Sequence, residues 1–118
     1  MKIVTACSIA MASLLALPAL ACDNPPLVIV PDGESATMEE LVAVQSEVQA
    51  YMAAMEEYID CIDAELEAAG GEDSQELFQS LMVQRHNQGV EEMEVIAEAF
   101  NEQVRAYREA NPEPEGED

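Results

Sequence analysis

Residues 37–71 read TMEELVAVQSEVQAYMAAMEEYIDCIDAELEAAGG, and their spacing decides the fold. Thr37-Met38-Glu39-Glu40 is a capping box: the Thr37 hydroxyl can accept from the Glu40 amide while the Glu40 side chain reaches back. Apolar side chains then recur at Leu41, Val44, Val48, Tyr51, Met52, Met55, Tyr58, Ile59, Ile62 and Leu66. Steps of three and four residues place them on one face of a helix. Glu39, Glu47, Glu56, Glu57, Asp60, Asp63 and Glu67 fall mainly on the other side. Gly70-Gly71 then offers residues that take left-handed backbone at a helix C-terminus without a Cβ penalty.

A second helix follows from the same logic. Asp73-Ser74-Gln75-Glu76 offers another capping box, and Phe78, Met82, His86, Gly89/Val90, Met93, Ile96/Ala97, Phe100, Val104 and Tyr107 form its stripe. Asn111-Pro112 stops it. The spacing predicts helices over about 38–69 and 74–110, each on the order of 50 Å long at about 1.5 Å per residue. A tight Gly-Gly turn makes them antiparallel neighbours, so the fold class is all-α, an antiparallel two-helix hairpin domain over 37–110. Folding about residue 71 sets Met55 near residue 87, Tyr51 near residue 91 and Val44 near residue 98. Residues 111–118 are acidic and proline-rich, which predicts a disordered tail.

Upstream, residues 1–21 read as a cleavable signal peptide. Lys2, an apolar run from Ile3 to Leu17, Pro18 and Ala19-Leu20-Ala21 stand in the order a signal peptidase needs. The run is short for a membrane span, which takes roughly 20 residues. Cleavage after Ala21 predicts a periplasmic or secreted product beginning at Cys22. Residues 22–36 carry Pro25, Pro26 and Pro31, which forbid helix, and Pro31-Asp32-Gly33 signals a turn. They predict an extended arm packed on the hairpin, with Leu27–Val30 as an apolar patch that needs cover.

The cysteines bear on the arm. Cys7 leaves with the signal, so Cys22 and Cys61 remain as a pair suited to one disulfide in an oxidising compartment. A cysteine at the first mature position is also where lipoproteins are acylated, although Ala19 rather than leucine stands three residues before it. Both fates of Cys22 stay open at this point. The reach is sufficient for the disulfide: Cys61 lies about 36 Å up the first helix and the arm extends to about 50 Å. A two-helix hairpin buries little core, and a bond closing a loop of about 40 residues contributes on the order of 3–4 kcal/mol.

The formal charge is −21, from 25 acidic residues against four basic ones, and loss of Lys2 leaves only Arg85, Arg105 and Arg108. Such a surface repels nucleic acid and anionic lipid, so neither is an expected partner. Solubility, or adaptation to salt, is the plain reading of the acidity. No Asp-x-Asp-x-Asp-Gly loop supports a calcium site. His86 is the one histidine, with no G-x-S-x-G serine to serve, no Glu three residues before it for a di-iron bundle, and no Cys-x-x-Cys-His for haem. The paired carboxylates Glu56-Glu57 and Glu91-Glu92 suit a solvated helix face better than acid–base work. No cofactor and no enzyme activity are expected. Met52, Met55, Met82 and His86, with Met93 nearby, form a soft thioether and imidazole set that suits Cu(I); the same methionines also suit an irregular helix seam. Tyr51, Tyr58 and Tyr107 are expected to pack at the interface with hydroxyls reaching water.

Pro31-Asp32-Gly33 followed by Ala36-Thr37-Met38-Glu39-Glu40, Tyr58-Ile59-Asp60-Cys61-Ile62-Asp63, and Phe100-Asn101-Glu102-Gln103-Val104-Arg105-Ala106-Tyr107 cover most of the mature chain. Together they resemble a family of small exported helical proteins of Gram-negative bacteria with no assigned activity. The resemblance implies location and helical shape rather than chemistry. Within it, Asn101 and Arg105 sit one turn apart, and Arg105 is placed to pair with an acid on the first helix, the favoured reading, or with a ligand. The functional expectation is a non-enzymatic structural or interaction module of the cell envelope, acting as a homodimer or with an envelope protein. A periplasmic copper-binding protein is the alternative.

Overall fold

The computed structural model describes residues 22–113; residues 1–21, where a signal peptide is expected, and residues 114–118 of the expected disordered tail lie outside the described residues. Two helices, α1 (Met38–Ala68) and α2 (Glu76–Ala110), are joined through a short 3₁₀ helix at Gly71–Asp73 and pack against each other as a hairpin. Among the described residues there is no strand. None of the helices is long and apolar enough to cross a membrane.

The start of α1 follows its local chemistry. The Glu40 N–H donates to Thr37 Oγ1 at 3.2 Å, and Glu40 Oε2 accepts from the Thr37 N–H at 2.7 Å. Two helix N-terminal donors are thereby satisfied. That backbone donor first, and the Thr37 hydroxyl second, hold the Glu40 carboxyl below its ordinary value. Its contribution is present above the ordinary carboxylate range and fades as pH falls.

The connection differs from the expected one. Gly70 and Gly71 do adopt positive φ, 111° and 58°. However, the Gly70 N–H turns to Glu67 O at 3.1 Å, which tightens the last turn and ends α1 at Ala68. Asp73, the expected cap, does not cap α2 but is the last residue of the 3₁₀ helix. The next residue closes that turn: the Ser74 N–H and hydroxyl both donate to Gly71 O, at 3.1 Å and 2.6 Å. Gln75 becomes the N-cap with no side-chain cap, and α2 begins at Glu76 rather than 74. The longer connection shifts the register: the space above Gly89 Cα, not residue 87, lies 3.4 Å from the Met55 sulfur.

The core is a line of residues seven apart on α1, Leu41, Val48, Met55 and Ile62, with Tyr51 and Tyr58 beside it. Met82, Gly89 and Ile96, again seven apart, meet it from α2. Met55 and Ile62 are 0% exposed. Gly89 allows close approach there, because a Cβ on it would stand 3.1 Å from Ile59 Cγ1.

Residues 22–36 touch the hairpin at a series of points. Cys22 and Cys61 are joined by a disulfide. Arg85 Nη2 donates to the Cys22 carbonyl at 3.0 Å, and Nε donates to the Tyr58 hydroxyl at 3.3 Å, with the guanidinium 5.6 Å from the Tyr58 ring centroid. Asn24 Nδ2 donates to Glu92 Oε2 at 3.4 Å, and Val28 packs on the core. Farther along, Asp32 organises a turn by accepting from the Ser35 and Ala36 amides. The Gly33 N–H donates to Gln103 Oε1 at 2.8 Å.

Gly33 is buried, and a Cβ there would collide with the Gln103 backbone carbonyl and lie 3.0 Å from Tyr107 N. Backbone sits on backbone, so neither side can yield by a rotamer change. Gly33→Ala is expected to lower stability by about 1–3 kcal/mol, the usual range for overpacking. Gln103→Ala, which removes one hydrogen bond, should cost about 1 kcal/mol. Thermal unfolding of both variants checks this; a Gly33→Ala chain as stable as the parent would contradict the contact.

Candidate interaction face

Each helix turns about 100° per residue, so the neighbours of the core line fall on two flanks. One flank of α2 carries Phe78, Arg85, Glu92, Ala99 and Ala106 at seven-residue spacing. Arg85 and Glu92 are the groups that bond Cys22 and Asn24. This flank is polar or small where the backbone of residues 22–33 needs hydrogen bonds and close approach.

The other flank has different chemistry. His86, Met93, Phe100 and Tyr107 form one line seven apart, and Val83, Val90, Ala97 and Val104 form the next. Val83 and Val90 are exposed, and the other six are half-buried. On α1 the matching line is Met38, Gln45, Met52, Ile59 and Leu66, which carries no charge. Towards the open end of the hairpin this side forms a groove of about 340 Å³ between Met38, Val42 and Gln45 of α1 and Phe100, Val104 and Tyr107 of α2. A strip of apolar surface running the length of α2 is uncommon on a monomeric protein unless it binds something.

The soft-donor candidates stand in different surroundings. Met55 and Met82 are buried in the core. The Met82 sulfur accepts from Arg85 Nη1 at 4.0 Å, which sets it beside a fixed positive charge on the Cys22 side. Met52 and His86 are half-buried, and His86 Nδ1 meets Asp63 Oδ1 at 2.8 Å. Asp63 orients the imidazole. Cys22, Cys61 and Glu65 lie within 4.8 Å of one another, yet the two sulfurs are bonded to each other and offer no thiolate.

Two polar expectations are corrected. Arg105 is exposed and makes no ion pair among the described residues; the one close contact there between a basic side chain and a carboxylate is His86 Nδ1–Asp63 Oδ1 at 2.8 Å. The helix surface around Arg105 is its own, formed with Glu102 and Glu109, so no acid of α1 is in reach. The neighbouring residue that matters is Gln103, through its bond to Gly33. The tyrosines differ from one another as well. The Tyr58 hydroxyl is held by Arg85 rather than by water, and the Tyr51 hydroxyl is buried without a hydrogen-bond partner. Sequence reasoning passed over Arg85 and Gln103. The signal for Arg85 was a cation seven residues from both Phe78 and Glu92 on a helix otherwise short of positive charge.

Comparison of the chain with protein-family models, with curated proteins and with solved structures finds no match.

Tyr51 supplies a test of this geometry. Burial first, and the nearby Glu92 carboxylate second, push its phenol above the ordinary tyrosine range. A raised folded-state pKa favours folding below the unfolded value and loses that contribution as pH rises through the folded one. Tyr51→Phe is expected to leave neutral-pH stability unchanged or raise it by up to about 1 kcal/mol, because an unpartnered buried hydroxyl is removed. Tyr58→Phe should instead cost about 1 kcal/mol. In an alkaline absorbance titration, Tyr51→Phe should remove a tyrosine that ionises above the ordinary range. A large loss of stability in Tyr51→Phe would contradict the reading of its hydroxyl.

Proposed function

We propose that this chain is an exported, non-enzymatic helical module of the cell envelope, periplasmic or secreted, that acts by binding through the uncovered flank of the hairpin. The observation that carries the reading is the contrast between the two flanks of α2. One is polar and small and is met by residues 22–33; the other is mostly apolar, has its inner line against α1, and leaves Val83 and Val90 exposed with no strap over them among the described residues. A flank made for solvent in so acidic a chain would be expected to carry glutamates, as the outer surface of α2 does at Glu91, Glu98 and Glu102.

In this reading residues 22–36 are an extended arm that straps one side of the hairpin. The disulfide fits an oxidising compartment and anchors the strap at its first residue. The signal-like character of residues 1–21 and the resemblance to small exported helical proteins support the same location. A binding role rather than a catalytic one is favoured because His86, the one histidine, partners a half-exposed carboxylate at the helix surface. No buried nucleophile stands with them.

Site-specific photo-crosslinking in the native envelope tests the proposal. A photoreactive side chain at Val90, on the uncovered flank, is expected to give discrete covalent adducts. The same group at Glu57, on the acidic outer face, should give none. Adducts of equal yield from both positions, or from neither, would overturn the reading.

A further inference from the structure

We infer that the occupant of the uncovered flank is a second copy of this chain, with the two α2 helices packed antiparallel about a two-fold axis level with residue 95. This inference rests on the binding role proposed above and goes further by assigning the partner and its register.

The flank of α2 between Val83 and Tyr107 is a complete seam of alternating three- and four-residue steps: Val83, His86, Val90, Met93, Ala97, Phe100, Val104, Tyr107. That spacing is the one by which helices interlock side chains. The fully buried positions of α2 are Met82, Gly89 and Ile96; within the seam, Met93 and Phe100 also pack against that core and His86 bonds Asp63, so the large line borders the hairpin contact while Val83 and Val90 stay exposed. Its two lines differ in size. Val83, Val90, Ala97 and Val104 are small, while His86, Met93, Phe100 and Tyr107 are large.

The alternation has a consequence that depends on direction. In an antiparallel pair centred at residue 95, Val83 meets Tyr107 of the second copy and Val90 meets its Phe100. Ala97 meets its Met93, and Val104 meets its His86. All four facing pairs combine a small residue with a large one, which is how opposed layers interdigitate at native density. A parallel pair in register would set Phe100 on Phe100 and Ala97 on Ala97, crowding one level and leaving a gap at the other. The sequence of sizes therefore selects one orientation, and it is the self-complementary one that a two-fold dimer requires.

Charge agrees with size. The line bordering the seam on its outer side is Ser80, Asn87, Glu94, Asn101 and Arg108, with one acid. Glu91, Glu92, Glu98, Glu102 and Glu109 of the same helix lie on its other faces. In a chain of net charge −21, two copies approach most easily where acids are fewest, and on this side they are reduced to Glu94 in the bordering line and Asp63 at His86. A cationic partner would be expected to meet the reverse, an apolar strip rimmed with glutamate. The seam runs about 36 Å, and with the flanking line of α1 the face is about two helix spacings wide. Pairing two such faces removes on the order of 1,300 Å² from water, within the range of stable interfaces.

Single-cysteine variants of the exported chain, with the Cys22–Cys61 disulfide intact and a short bis-maleimide linker, test the register. Glu94, Asn87 and Asn101 are exposed, so their replacement leaves the core untouched, and circular dichroism confirms the fold of each variant. Glu94→Cys, beside the axis, is expected to give a cross-linked species of twice the chain mass on its own. Asn87→Cys and Asn101→Cys should each give none alone, and an equimolar mixture of the two should restore it. Cross-linking of Asn87→Cys alone would show a parallel pair and overturn the inference. Absence of cross-linking in every case would also overturn it. The binding reading is judged separately by the Val90 photo-adduct: an adduct with a different protein would uphold that reading while refuting the second copy.

Discussion

A helix that buries a broad apolar stripe needs neighbours on both sides of it, and a hairpin supplies only one neighbour. This constraint organises the molecule. The inward lines of α1 and α2 meet each other and form the core from Leu41 to Ile62 and from Met82 to Ile96. Each stripe then has two flanks left over. A domain of this length gains too little from the central line alone to leave both flanks in water.

The two flanks are resolved by different means. On one, fifteen residues of irregular chain stand where a third helix would stand in a larger bundle. Irregular backbone brings unsatisfied amides and carbonyls with it, and the helices provide their partners: Arg85 for the Cys22 carbonyl, Gln103 for the Gly33 amide. Where the chain must come closest, Gly33 removes the side chain. The covalent bond at Cys22 and the close contact at Gly33 hold that segment near its two ends. The other flank has none of these features. Its residues are apolar apart from His86, graded in size and bordered by a line with one acid, Glu94, and one cation, Arg108, as suits contact with another helix.

Much of the fold was legible in the sequence because it rests on short-range chemistry. The Thr37 capping box, the left-handed Gly70-Gly71 pair and the three-four spacing are each contained within a few residues. The start of α2 was misjudged because the 3₁₀ turn after Gly70 takes up Asp73 and Ser74, so the Asp73 capping box does not form. Gln103 was out of reach since its partner Gly33 lies 70 residues away. The uncovered flank was half legible. Gly89/Val90 and Ile96/Ala97 read as alternatives on a single stripe, whereas both members of each pair are used. Gly89 and Ile96 face α1, and Val90 and Ala97 belong to the second seam. Two seams on one helix look like one broad stripe until the partner of the first is known. The methionines pack as the seam reading expects: Met55 and Met82 lie in the core, with Met52 and Met93 against it.

Function in this account follows from incomplete coverage. The acidic outer surface keeps the molecule apart from its neighbours everywhere except along one neutral strip, so charge and shape direct it to the same contact. Closure of two hairpins on that strip makes a four-helix arrangement with an irregular strap on each outer side. Sedimentation equilibrium of the disulfide-intact exported chain at physiological salt, over a wide concentration range, tests this most directly. The account requires a reversible dimer whose mass falls to that of a single chain when Ala97 is replaced by glutamate. A parent chain that keeps single-chain mass to the highest concentration reached would contradict it.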